Sequence, residues 1–129
     1  MRIVAEKRAA LRVLIADDNR DTVLTLGILV RSEGYIVRLA ENGKQALAAA
    51  KHFEPDIVLL DLGMPDVSGF DVARELSQRF GAQCPVLIAV SGHKRDEDRS
   101  RAADCGFRHF VPKPYQPEVL LDLLCEVGG

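Results

Sequence analysis

The sequence has few cysteines, no long apolar run and no apolar N-terminal segment, and each scarcity excludes a class of protein. The three cysteines, Cys84, Cys105 and Cys125, are odd in number and too far apart for a Cys-x-x-Cys metal or redox motif. Reduced thiols are therefore expected. No apolar run approaches the roughly 18 residues that span a bilayer, and the first residues lack the apolar core of a signal peptide. We predict a cytoplasmic protein without a membrane segment.

The sequence also lacks an excess of either charge. It contains 17 basic and 19 acidic residues, for a net charge of -2, and this balance argues against direct binding to nucleic acid. No glycine-rich loop follows the first apolar run, so nucleotide binding is disfavoured. At 129 residues, 47% of them apolar, the chain suits one globular domain. We expect residues 1–10 to form a leader segment and residues 11–129 to form the domain.

Short apolar runs alternate with stretches of helical periodicity. Three runs are continuous, at residues 13–16, 57–60 and 86–90, and two further strands are expected at residues 35–40 and 107–111. Between and after them, apolar residues recur at steps of three and four, with Asn42-Gly43 as a turn, Ser68 as a helix N-cap and Pro117 in the first turn of the last helix. Five such alternations predict an α/β fold, a doubly wound parallel sheet with helices on both faces. For the last helix, the spacing predicts a buried face formed by Val119, Leu120, Leu123, Leu124 and Val127.

Polar residues follow the predicted strands where each strand ends. Asp17 and Asp18 follow the first strand, Asp61 the third, Ser91 the fourth and Lys113 the fifth. The carboxyl ends of parallel strands meet at one edge of the sheet, so these side chains should form one site. Carboxylates at such distances repel one another by on the order of 4 kcal/mol per pair at 4 Å. Lys113 offsets one charge, and Mg²⁺, which prefers oxygen ligands, could offset the others.

A metal ion, a lysine and a hydroxyl around one remaining carboxylate suit phosphoryl transfer. Asp61 would be the nucleophile, while Lys113 and Ser91 would bind oxygens of the phosphoryl group. Structural interpretations stand beside this one. Asp17-Asp18 alone could cap a helix, Lys113 could be a surface residue, and Phe110 is more often a core residue. Two other functions also remain open: a phosphohydrolase, although Gly63 lies where such folds usually carry a second acid, and an inert interaction module.

The residues at these strand ends resemble the receiver domain of two-component response regulators. The matching motifs are the acids at Asp17-Asp18, the D-L-G-M-P segment that begins with Asp61, the V-S-G around Ser91 and the K-P of Lys113-Pro114. They occur in the family's order over roughly residues 11–127. Ser68 departs from the usual acid or asparagine, and Pro112 before Lys113 is unusual for the family. The stretch from residue 91 to residue 107 looks most like receivers of hybrid histidine kinases.

This resemblance implies a flavodoxin-like fold with strand order 2-1-3-4-5 and a signalling switch rather than an enzyme. It implies a cis Lys113-Pro114 bond and phosphorylation by a histidine kinase or a histidine phosphotransfer domain. The output would then be a changed surface of helix 4, strand 5 and helix 5 that a downstream protein reads, with a homodimer left open. The implied residue roles are Asp61 as phosphoacceptor, Ser91 and Lys113 as its partners, Ser91 and Phe110 as switch residues, and Asp17, Asp18, Asp61 and the backbone carbonyl of Gly63 as ligands of Mg²⁺.

Overall fold

The computed structural model describes residues 10–92 and 96–128, in which strands and helices alternate. The predicted leader lies almost entirely outside the described residues, so its boundary stays a prediction. The strands are β1 (Arg12–Ala16), β2 (Ile36–Ala40), β3 (Ile57–Asp61), β4 (Val86–Ser91) and β5 (Phe107–Pro112). The helices are α1 (Arg20–Ser32), α2 (Gly43–Phe53), α3 (Gly69–Phe80), α4 (Asp96–Asp104) and α5 (Pro117–Gly128), and a short 3-10 turn (Gly81–Gln83) follows α3.

The five strands form one parallel sheet in the order β2-β1-β3-β4-β5. This order confirms the predicted fold class. β3 lies in the middle of the sheet, and all five of its residues are buried. β5 is an edge strand and ends at Pro112. A proline is tolerated there because its missing N–H does not interrupt the hydrogen bonds between interior strands.

Side chains alternate between the two faces of the sheet, and each face has its own apolar core. One core contains Val58 and Leu60 of β3 and packs against α2, α3 and the end of α4. The other contains Ile57 and Leu59 and packs against α1 and α5. Because both faces are covered, the strands are apolar at consecutive positions rather than at alternate ones. The helices therefore lie on both faces, as predicted.

Side chains cap the described helix starts that border the site. The backbone N–H of Asp71 donates to Ser68 Oγ at 3.2 Å, which confirms Ser68 as the N-cap of α3. The Asn42-Gly43 pair was predicted as a turn, but it begins α2: Asn42 Oδ1 accepts from the N–H of Gln45 at 2.8 Å. Asparagine serves both settings, since its short side chain can bond to nearby backbone in a turn or at a helix start.

The predicted buried face of α5 is wrong at one position. Leu120 and Leu124 are fully buried, and Leu123 and Val127 are partly buried, but 53% of Val119 is exposed. Leu120 and Leu124 lie one helical turn apart and define the line of contact with the sheet, and Val119 is rotated away from that line. It instead borders a surface groove between α5 and the edge strand β5. Among the described helices, none combines the length and apolarity that crossing a membrane requires.

Candidate functional site

The ends of β1 and β3 bring three carboxylates together at one edge of the sheet. Asp17 and Asp18 directly follow β1, and Asp61 is the last residue of β3. Oxygen atoms from the three side chains lie within 4.8 Å of one another. Asp17 and Asp61 are largely buried, with 4% and 9% of each residue exposed, whereas Asp18 is exposed. The strand-end residues therefore meet as the parallel topology predicts.

Lys113 reaches this cluster from the end of β5. Its Nζ lies 3.0 Å from Asp17 Oδ2 and 3.9 Å from Asp61 Oδ2. The backbone N–H of Lys113 donates to the carbonyl of Ser91 at 2.7 Å. Pro112 therefore lacks only its own N–H, and backbone hydrogen bonding to β4 is present again at the next residue. The bond between Lys113 and Pro114 is cis, as the resemblance implies.

Ser91 is the last residue of β4 and is almost fully buried, with 1% exposed. Its neighbour Val90 pairs with Asp61 across the sheet, and Ser91 itself pairs with Pro112. The register thus places Ser91 at the same edge as Asp61 and Lys113, one position beyond the paired end of β3.

The backbone after β3 folds tightly around Asp61. The N–H of Gly63 donates to Asp61 Oδ1 at 3.1 Å, so the loop turns back toward the carboxylate. At the start of α3, a side chain on Gly69 would place its Cβ 2.5 Å from the carbonyl oxygen of Asp61, which leaves room only for glycine. The loop of residues 62–68 is therefore closely packed at the end where it enters α3.

The environment of Asp61 disfavours its charged form. Burial is the main cause that raises its pKa, to about 6 from 3.8, and the negative charge of Asp17 adds to the rise. The N–H of Gly63 and the ammonium of Lys113 act in the opposite direction. Burial together with the nearby carboxylate outweighs these two favourable contacts.

The cluster carries more negative than positive charge, which favours the binding of a cation such as Mg²⁺. Within residues 10–92 and 96–128, the three carboxylates have an ion pair with one ammonium, that of Lys113, which lies close to Asp17 and Asp61. Closely placed carboxylate oxygens with a partly exposed side for water are the donor set that a hard divalent ion accepts. The residues present therefore fit Mg²⁺.

Phe110 and Asp66 have surroundings that the sequence did not indicate. Phe110 is partly buried on β5, and the guanidinium of Arg99 from α4 stacks 4.7 Å from the centre of its ring. Asp66, in the loop after Asp61, accepts hydrogen bonds from backbone N–H groups of α2. Neither contact has a sequence signal, because each joins segments that only the folded sheet brings together.

Comparisons with known proteins agree with this arrangement. A family model described as the response regulator receiver domain matches residues 13–124. Protein PilH of Pseudomonas aeruginosa is 32% identical over 110 residues, which are 85% of this chain and 91% of PilH. The transcriptional regulatory protein KdpE of Mycobacterium tuberculosis is 39% identical over 103 residues, 80% of this chain but only 44% of KdpE. This chain therefore spans less than half of that relative.

Solved structures share the fold over nearly the whole chain. The chemotaxis protein CheY4 of Vibrio cholerae superposes with a TM-score of 0.86 at 26% identity, covering 92% of this chain and 99% of that one. The match of the family model spans every described residue of the carboxylate cluster together with Ser91 and Lys113. On these findings, the chain belongs to the family of response regulator receiver domains.

Proposed function

We propose that this receiver domain accepts a phosphoryl group on Asp61 from a phosphohistidine, in a reaction that requires Mg²⁺. The observation that carries the proposal is the contact set of Asp61: a buried carboxylate at the sheet edge, between two further acids and one lysine. A structural carboxylate would be expected to have enough donors to remain charged without such a rise in its pKa. The raised pKa of Asp61 instead suits a group that awaits a cation and a phosphoryl group.

The transfer moves one phosphoryl group between two nucleophiles. A carboxylate oxygen of Asp61 attacks phosphorus, an O–P bond forms, and the N–P bond of the phosphohistidine breaks. The electron pair of that bond returns to the imidazole nitrogen, so no oxidant or further reactant is needed. Lys113 would bind a phosphoryl oxygen, and the distance of 3.9 Å between its ammonium and Asp61 Oδ2 supports this role. Ser91 would bind a second oxygen through its hydroxyl.

Mg²⁺ would be held by the carboxylates of Asp17, Asp18 and Asp61 and by the backbone carbonyl of Gly63. When bound, it supplies positive charge that stabilises the phosphoryl oxygens during transfer. Lys113 remains bonded to Asp17 at 3.0 Å and holds that acid in place beside Asp61. Asp17 also accepts from the N–H of Asn19 at 2.9 Å, which ties the acid to the start of α1.

Phosphorylation would act as a switch through Ser91 and Phe110. Movement of Ser91 toward the phosphoryl group would open space into which Phe110 can turn, and Phe110 now contacts Arg99 of α4. The affected surface is formed by α4, β5 and α5, which includes the groove beside Val119. We propose that a downstream protein reads this surface and that a histidine kinase or histidine phosphotransfer domain is the donor. Attachment to a hybrid kinase, homodimer formation and a cytoplasmic location stay predictions from the sequence.

A small acyl phosphate donor tests the proposal. With Mg²⁺, intact mass measurement should find one slowly lost phosphoryl group on the wild-type chain and none on Asp61→Ala, and EDTA should suppress the reaction. Many turnovers of the donor would instead indicate a phosphohydrolase. No phosphoryl group under any condition would indicate an inert interaction module and overturn the proposal.

A further inference from the structure

The carboxylate of Asp66 joins the loop after Asp61 to a different helix. Its Oδ1 accepts from the N–H of Gly43 at 2.8 Å, and its Oδ2 accepts from the N–H of Lys44 at 3.0 Å. These N–H groups belong to the first turn of α2, where no preceding carbonyl of the helix can bond to them. Hydrogen bonds from backbone N–H groups, that of Lys44 first, lower the pKa of Asp66 to about 2. This carboxylate is therefore charged at neutral pH.

The loop and α2 are also in direct steric contact beside this carboxylate. A Cβ on Gly43 would lie 2.4 Å from the carbonyl oxygen of Val67, so only glycine allows the loop to approach so closely. At the other boundary, Gly69 packs against the carbonyl of Asp61. Residues 62–68 are thus held by α3 on one side and by α2 on the other.

Gly63 lies in this loop, three residues before Asp66. It is exposed, and its N–H donates to Asp61 Oδ1 at 3.1 Å. Glycine gives the backbone little stiffness of its own, so the position of Gly63 depends on its neighbours. Leu62 and Met64 are buried in the core on either side of it, and the loop beyond Met64 is held at Asp66. Asp66 is the polar anchor nearest to it on the side away from β3, and Pro65 between them restricts the backbone further.

We propose that Asp66 is a positioning residue for phosphoryl transfer, because its bonds to Gly43 and Lys44 fix the loop that holds the Gly63 backbone against Asp61. The inference rests on the proposed function and extends it to a residue outside the cluster of acids. Asp66 is not a member of the cluster of Asp17, Asp18 and Asp61, so its role would be to hold the loop. A small displacement of Gly63 is enough to affect transfer, since catalytic groups act within tight limits of position.

The chain contains a matched control for this idea. Asn42 caps the same turn of α2, accepting from the N–H of Gln45 at 2.8 Å. This bond is local to the start of α2 and does not involve the loop of residues 62–68. Asn42→Ala and Asp66→Ala therefore both remove a cap from α2. Unlike Asn42→Ala, Asp66→Ala also removes the hydrogen bonds that join the loop to α2. Asp66→Asn keeps one carbonyl acceptor and provides a milder variant should the alanine variant fold poorly.

The experiment compares wild type, Asn42→Ala, Asp66→Ala and Asp66→Asn by two measurements. The first is the backbone ¹⁵N order parameter of Gly63 in the unphosphorylated protein. The second is the rate of phosphorylation by a small acyl phosphate as Mg²⁺ is increased. We expect Asp66→Ala to lower the order parameter of Gly63 and to slow phosphorylation by about tenfold. Asp66→Asn should give a smaller loss, and Asn42→Ala should change neither quantity.

Three outcomes overturn the inference while the proposed function stands. An unchanged order parameter in both Asp66 variants would show that the loop needs no anchor there. Equal losses in Asn42→Ala would show a general effect of weakening α2, and a looser Gly63 without a slower reaction would remove the link to transfer. If the wild-type chain takes no phosphoryl group, the proposed function fails, and the order parameters still decide whether Asp66 fixes the loop.

Discussion

Replacing Asp61 by asparagine should stabilise the metal-free protein at neutral pH, although it removes the proposed acceptor. Burial chiefly raises the pKa of Asp61 to about 6 from 3.8, so the folded protein binds this proton more tightly than the unfolded chain does. The stabilising effect of that proton is fully present below the unfolded pKa and is lost as the pH rises through about 6. Above that pH, the buried charge destabilises the fold.

The size of the effect follows from the two pKa values. Their difference, at about 1.4 kcal/mol for each pH unit, corresponds to about 3 kcal/mol. Only 9% of Asp61 is exposed, so water screens the charge weakly. Asparagine has nearly the same volume and keeps an oxygen that can accept from the N–H of Gly63. The variant should therefore be more stable than wild type by up to about 3 kcal/mol at about pH 8 and nearly equal to it at about pH 4.

Urea unfolding in EDTA, followed by circular dichroism, measures this difference. The chain contains no tryptophan, which makes the far-ultraviolet signal the natural probe. Asp104→Asn, at an exposed aspartate at the end of α4, is the matched control and should gain at most about 1 kcal/mol, the effect of removing a negative charge from a helix C-terminus. Mg²⁺ should reduce the advantage of Asp61→Asn by stabilising wild type. A gain that does not depend on pH, or no gain at about pH 8, would refute the reasoning.

Three further variants test other contacts of the site. Asp17→Asn should lose most of the stabilisation that Mg²⁺ gives wild type in thermal unfolding; an equal gain in both would contradict this metal site. Lys113→Met removes the ammonium 3.9 Å from Asp61 Oδ2, so the Asp61 pKa measured by carboxyl NMR should rise above about 6, and an unchanged pKa would contradict that contact. Gly69→Ala should destabilise the fold by about 1–3 kcal/mol in urea, because its Cβ would overlap the Asp61 carbonyl; wild-type stability would contradict that packing.

Much of the fold could be predicted because its main signals are local in sequence. The continuous apolar run of β3 reflects a strand covered on both faces, and alternation with helices implies parallel strands. Parallel topology then brings Asp17, Asp61 and Lys113 together, although they are far apart in the chain. Their grouping could be predicted without knowing which helix packs where, since it depends only on strand direction.

The remaining features depend on contacts between particular elements. The bond from Asp66 to α2 requires the loop after β3 to lie over the start of another helix, and no local pattern specifies that approach. The stacking of Arg99 on Phe110 likewise depends on how α4 packs against β5. Val119 was placed on the buried side of α5 because its spacing fits a helical stripe, but the width of that stripe is set by the sheet that it covers.

The most direct test of the central claim is to locate the phosphoryl group. After reaction with a small acyl phosphate and Mg²⁺, borohydride reduces an aspartyl phosphate to homoserine, and peptide sequencing by mass spectrometry identifies the reduced residue. We predict homoserine at Asp61, the acid at the end of β3 that contacts both the carboxylate cluster and Lys113. Reduction at Asp17 or Asp18 instead, or at no residue of the phosphorylated chain, would contradict the assignment of Asp61 as the acceptor.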